Sequence, residues 1–139
     1  MAGFTVTGGC NPAVSFGEGR PTAPLACGGE TIVTFSVADK CYEPTSVTRT
    51  FTITPAPAVT VTTSENATTA ACSYADQAAA DAAYNAWIAG FTATGGCQAV
   101  GVFTNEQSAP AYCGGTRTVT FVVTDKCYQT ATRTATFTI

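Results

Sequence analysis

Two stretches of this 139-residue chain spell nearly the same text at a domain-sized spacing. Gly3-Phe4-Thr5-Val6-Thr7-Gly8-Gly9-Cys10 returns as Gly90-Phe91-Thr92-Ala93-Thr94-Gly95-Gly96-Cys97. Cys27-Gly28-Gly29 returns as Cys113-Gly114-Gly115, Asp39-Lys40-Cys41-Tyr42 as Asp125-Lys126-Cys127-Tyr128, and Phe51-Thr52-Ile53 as Phe137-Thr138-Ile139. The offset is 87 at the first match (97 − 10) and 86 at the others (127 − 41), so one residue is gained or lost between the first two cysteines. A period this long belongs to a small domain, longer than the usual solenoid repeat. Residues 59–139 read as a complete unit and residues 1–53 as the truncated C-terminal part of another. Residues 54–58, Thr-Pro-Ala-Pro-Ala, read as a stiff Pro-rich linker between them. Met1 and Ala2 read as residues left from expression. No signal peptide or long apolar run is visible, which for an exported chain implies a piece of a larger precursor.

Only 11% of residues are charged, against roughly 25% in ordinary globular chains, so Thr, Ser, Asn and Gln must supply the polar surface. With six Lys and Arg and a net charge of −3, nucleic acid and anionic membranes are poor partners. Seven cysteines without a C-x-x-C spacing, in a chain with no His, point to disulfides in an oxidising compartment rather than to metal sites. The missing His also removes the commonest general base. No catalytic residue, metal ligand or cofactor is expected.

Val59 to Thr63 alternates as a strand, and Ser64 to Ala67 reads as a turn. Residues 74–89 are Ala-rich and free of Gly and Pro, which predicts a helix. Ser73 stands as its N-cap, Asp76 lies three residues on, and Gly90 is the stop. Ala80, Tyr84, Trp87, Ile88 and Phe91 fall on one face. Further strands follow: Val100 and Val102 alternate, as do Val14 and Phe16. Val119, Phe121 and Val123 share a face, as do Val33, Phe35 and Val37, and Thr-rich closing strands end at Ile53 and Ile139. The expected fold class is all-β, an immunoglobulin-like sandwich with one inserted amphipathic helix per unit.

Strand geometry bears on the cysteines. Cys113 and Cys127 flank one strand of about 26 Å, too far apart to bond. Antiparallel neighbours over 98–104 and 117–125 would bring Cys97 and Cys127 to one end, and Cys10 and Cys41 likewise. The expected disulfides are therefore Cys97–Cys127, Cys10–Cys41 and Cys72–Cys113. Cys27 is left as a free thiol, with a different pairing or an intermolecular bridge as the open alternative.

A Cys before an Ala-rich helix ending Trp87-Ile88-Ala89-Gly90-Phe91, then Gly-Gly-Cys, Cys-Gly-Gly, a Thr-Val-Thr-Phe strand and a closing Thr-Phe-Thr-Ile resemble HYR-like immunoglobulin-fold repeats. These occur in very large bacterial surface adhesins of the type IX-secreted, gliding or attachment kind. The resemblance implies a structural, adhesive repeat on the bacterial cell surface. Its partners would be neighbouring repeats and, by strand exchange, other copies. The alternative function is a carbohydrate-binding module for surface glycans, with Tyr42, Tyr112 and Tyr128 as candidate platforms and Trp87 assigned to the core. Asp39 and Asp125 recur where related repeats carry acidic turns, but nine acidic residues are too few and too dispersed for a tight calcium site. They read as turn formers. Lys40 and Lys126 lie in turns, unsuited to a buried isopeptide bond. Asn66-Ala67-Thr68 matches a glycosylation sequon.

Overall fold

The computed structural model describes residues 3–105 and 108–139; Met1 and Ala2, read above as expression residues, lie outside them. The chain divides into two compact units, Met1–Pro55 and Ala56–Ile139. It is mostly β, with several sheets and one short helix.

Unit 1 is a three-stranded antiparallel sheet in the order β1 (Ala13–Phe16), β2 (Gly29–Ala38), β3 (Thr45–Ile53). The alternation of β2 turns Val33, Phe35 and Val37 to one face, where Phe35 is buried. Its ring stacks on Phe4 at 4.9 Å and tilts against Phe16 at 5.6 Å. Strand β3 forms one edge of the sheet and is exposed from Thr45 to Thr52.

Unit 2 carries a comparable ladder inside a larger assembly. Strands β4 (Thr60–Thr62) and β6 (Thr92–Thr94) pair as a two-stranded sheet. Strands β5 (Ala67–Thr68), β7 (Val100–Phe103), β8 (Thr116–Thr124) and β9 (Thr130–Thr138) form a four-stranded sheet in the order β5-β9-β8-β7. Helix α1 (Gln77–Ile88) packs through Tyr84 and Trp87 onto Phe137, with ring centroids 5.4 and 5.5 Å apart. Tyr84, Phe91, Val119, Phe121, Val123, Ala135 and Phe137 make the buried core. Outward threonines pair across the ladders, Thr34 with Thr48 and Thr120 with Thr134, each hydroxyl pair 3.3 Å apart.

Four local expectations change. The helix is shorter than 74–89, and its N-cap is Asp76 rather than Ser73. The Asp76 carboxylate accepts the Ala79 amide at 2.9 Å, while the Ser73 amide is held in a turn by the Ala70 carbonyl. The helix closes at Ala89 in right-handed conformation, and Gly90 needs no left-handed turn; the Ser64 hydroxyl occupies the space a side chain there would take. The expected turn at 64–67 gives way to β5 from Ala67, which runs parallel to β9; just before it, Asn66 Oδ1 accepts the Thr136 amide at 2.9 Å. Finally, Val100 and Val102 face solvent, and Gly101 and Phe103 face inward. The Phe121 ring lies where any Gly101 side chain would stand, so the inward position had to be bare.

Candidate functional site: carboxylate-clasped cysteines

In each unit a loop leaves the central strand through an aspartate and returns through a cysteine two residues on. In unit 1, Asp39 follows β2 and its two carboxylate oxygens accept the amides of Cys10 (2.6 Å) and Cys41 (2.7 Å). In unit 2, Asp125 follows β8 and accepts Cys97 (2.8 Å), Cys127 (2.9 Å) and Gln129 (2.8 Å). One carboxylate thus holds two segments distant in sequence by their backbones. Asp125 is only 5% exposed. The Cys97 amide, followed by those of Gln129 and Cys127, holds its carboxyl below the usual range against the opposing pull of burial. The glycine before each leading cysteine makes the clasp accessible. Gly9 (φ +85°) and Gly96 (φ +63°) sit in left-handed conformation with the Asp39 and Asp125 side chains against them, where a side chain would collide.

The cysteines fall around these clasps. In unit 1 the ligand atoms of Cys10, Asp39 and Cys41 all lie within 4.8 Å of one another. Both thiols are free and exposed, and hydrogen bonding to Cys10 pushes the Cys41 thiol up. A redox-catalytic thiol needs the opposite shift, toward the thiolate. A soft metal would want four ligands, and among the described residues no fourth His, Cys, Asp or Glu joins these three, while both Asp39 oxygens already accept amides. The chemistry the arrangement suits best is closure of a disulfide.

Four expectations about thiols are corrected, and two of them fall together: Cys10, Cys41, Cys72 and Cys113 are free thiols, so the expected Cys10–Cys41 and Cys72–Cys113 bonds are not formed, although the Cys10 and Cys41 sulfurs lie close. Cys27, expected free, is disulfide-bonded; it is exposed in the loop before β2, where its sulfur can reach a partner. Cys127 is also disulfide-bonded while Cys97 is a free thiol, so the expected Cys97–Cys127 bond is not formed. The backbone neighbourhood behind that expectation is present: both amides meet Asp125, and the Lys126 amide donates to the Cys97 carbonyl at 3.0 Å. The sulfur of Cys127 is committed elsewhere. Cys72 and Cys113 are free and exposed. They lie near the same end of the four-stranded sheet, Cys72 just after Thr69, whose amide donates to Thr138, and Cys113 just before Gly115, whose amide donates to Ile139. Gln77 ties the helix start to this loop through the Pro110 carbonyl (3.1 Å) and the Tyr112 amide (3.0 Å).

Tyr42, Tyr112 and Tyr128 are exposed, Tyr128 at 88%. Trp87 belongs to the helix packing, and its indole N–H donates to the Glu65 carbonyl at 2.7 Å. The aspartate clasp is the element that residue reading missed, although the shared spacing of Gly-Gly-Cys and Asp-x-Cys carried its signal. A scan against protein-family models matches none, and a search of curated proteins returns no significant relative. Among the described residues no helix is long and apolar enough to cross a membrane.

Proposed function

We propose that this chain is a structural and adhesive segment of an extracellular bacterial surface protein, built from disulfide-stapled, immunoglobulin-like units that form a stalk or filament. The observation that carries the reading is the recurring clasp: 86 residues apart, an aspartate after the central strand binds the amides of two cysteines that close the unit's end. Such an arrangement serves mechanical closure. It fixes loop ends and, in unit 1, brings the Cys10 and Cys41 thiols together for oxidation, as a spacer exposed to an oxidising medium requires. Oxidation of Cys10 with Cys41 closes a loop of about 30 residues, which in the loop-entropy model stabilises by about 3–4 kcal/mol. The sheets of unit 2, closed by α1, are then read as a variant of the sandwich.

A non-reducing peptide map with thiol labelling, on protein taken from its natural setting, tests this. Recovery of Cys10 linked to Cys41 and Cys72 linked to Cys113 is the expected result. Fully reduced cysteines would remove the case for export. A second reading, a glycan-binding module, is favoured by the exposure of Tyr42 and Tyr128 at matching positions. Selective capture on a glycan array, lost in Tyr42→Ala and Tyr128→Ala, would promote it over the stalk.

A further inference from the structure

Cys10 and Cys41 come together from separate loops, one before β1 and one between β2 and β3. Each is fixed through its backbone and not through its sulfur. One Asp39 oxygen accepts the Cys10 amide and the other accepts the Cys41 amide. The carboxylate is thereby spent, while both thiols stay exposed and hydrogen-bonded to each other. Their sulfurs lie within 4.8 Å of one another. Two metal–sulfur bonds of about 2.3 Å each, laid in line, span about 4.6 Å. The requirement for four ligands belongs to tetrahedral ions such as zinc. Cu(I) is a soft ion with a filled d shell; it selects thiolates and is satisfied by two of them in line. The chain has no His, so no imidazole competes for such an ion.

We propose that the reduced Cys10 and Cys41 pair is a binding site for a monovalent thiophilic cation, Cu(I), with the two thiolates as ligands and Asp39 as the positioning residue. Binding exchanges two thiol protons for one Cu⁺, so no electron moves and no co-reactant is needed. The two-thiolate complex carries one net negative charge, and the Asp39 oxygens remain on their amides outside the coordination. The disulfide and the ion site are two states of the same sulfurs. Oxidation removes the ligands, and a bound ion blocks closure. Unit 2 offers no equivalent pair, because the Cys127 sulfur is disulfide-bonded while Cys97 is a free thiol. The inference concerns the reduced state and does not rest on the adhesive role.

The test uses the full chain under anaerobic conditions, loaded with Cu(I) supplied as its acetonitrile complex and challenged with a chromophoric Cu(I) chelator. One ion per chain should be retained, with two sulfur neighbours by X-ray absorption and with Cys10 and Cys41 protected from thiol labelling. Cys10→Ser and Cys41→Ser should each weaken retention by more than about a hundredfold, beyond the loss typical of a supporting group. Asp39→Asn keeps both thiols but replaces one acceptor oxygen with a donor, and should weaken retention about tenfold. Cys97→Ser should leave it unchanged. Amide shifts of β1, β2 and β3 separate loss of the site from loss of the fold, and the labelling of the parent chain needs no variant. Loss of the ion to the chelator, full retention in Cys10→Ser, or protection of Cys72, Cys97 or Cys113 in place of the pair would overturn the proposal. Reduced cysteines in natural material would sink the stalk reading yet leave this measurement unchanged, so the two failures can be told apart.

Discussion

Phe35 in unit 1 and Phe121 in unit 2 occupy matching strand positions, and each gathers two further rings, Phe4 and Phe16 in one case and Phe91 and Phe103 in the other. The geometry differs. Phe4 stacks on Phe35 at an interplanar angle of 29°, while Phe91 meets Phe121 edge-on at 68°. On the neighbouring strand, Val14 pairs with Val37 where Gly101 pairs with Val123. In unit 2 the bare glycine lets the Phe121 ring lie across the strand; in unit 1 a valine stands at that place and the Phe35 ring stacks on Phe4. The comparison teaches that a ladder register and an aromatic cluster follow from local pattern, but a buried core needs a covering element. Among the described residues, strand β9 has one in α1 and β5, and β3 has none.

The largest predicted contrast follows directly. Phe137→Ala should cost unit 2 about 3–5 kcal/mol, as for other fully packed aromatics, while Phe51→Ala should move unit 1 by no more than about 0.5 kcal/mol. Denaturant titration followed by Trp87 fluorescence reads the first, and amide exchange along β2 the second. Equal costs at the two positions would mean that the Phe51 face is covered in solution. Next, Gly101→Val gives unit 2 the residue of unit 1 and drives the Phe121 ring out of its place. A loss of about 1–3 kcal/mol is expected; an unchanged midpoint would break the account of the two ring geometries.

The clasps sharpen the comparison further. Asp125 is buried and bound by three amides, so Asp125→Asn should lower the denaturation midpoint of unit 2 at neutral pH, by less than Phe137→Ala. Because folding depresses this carboxyl's pKa, its contribution is fully present above the ordinary carboxylate value of about 3.9 and is lost as pH falls through the lower folded value. Acid titration of the parent and the variant should therefore converge below that window. A variant as acid-sensitive as the parent would assign the acid loss to other groups. The smallest effect is at the helix start: Asp76→Ala should cost about 1 kcal/mol by releasing the Ala79 amide, visible as faster exchange in the first turn of α1.

Much of this fold is legible residue by residue. The alternation of Val33, Phe35 and Val37, and of Val119, Phe121 and Val123, marks β2 and β8 and their inward faces, because a strand has no other way to sort such a pattern. The face of Ala80, Tyr84, Trp87 and Ile88 marks the side of α1 that packs on the sheet. Less legible were the short strand β5, whose two residues carry no periodicity, and the inward turn of Gly101, where the signal was an absent side chain beside two misleading valines.

At the cysteines the division is clearest. Spacing alone placed Cys10 near Cys41 and the backbone of Cys97 near that of Cys127, since antiparallel strands of matched length must bring their ends together. Only the tertiary structure showed that an aspartate binds both amides of each pair, because hydrogen bonds between segments 28 or 29 residues apart depend on how two loops meet. Likewise, sequence determined that Phe51 and Phe137 would point from equivalent strands, through the fixed two-residue period of a pleat. Whether either was buried depended on a helix arriving from elsewhere in the chain, and burial is a property of neighbours in space.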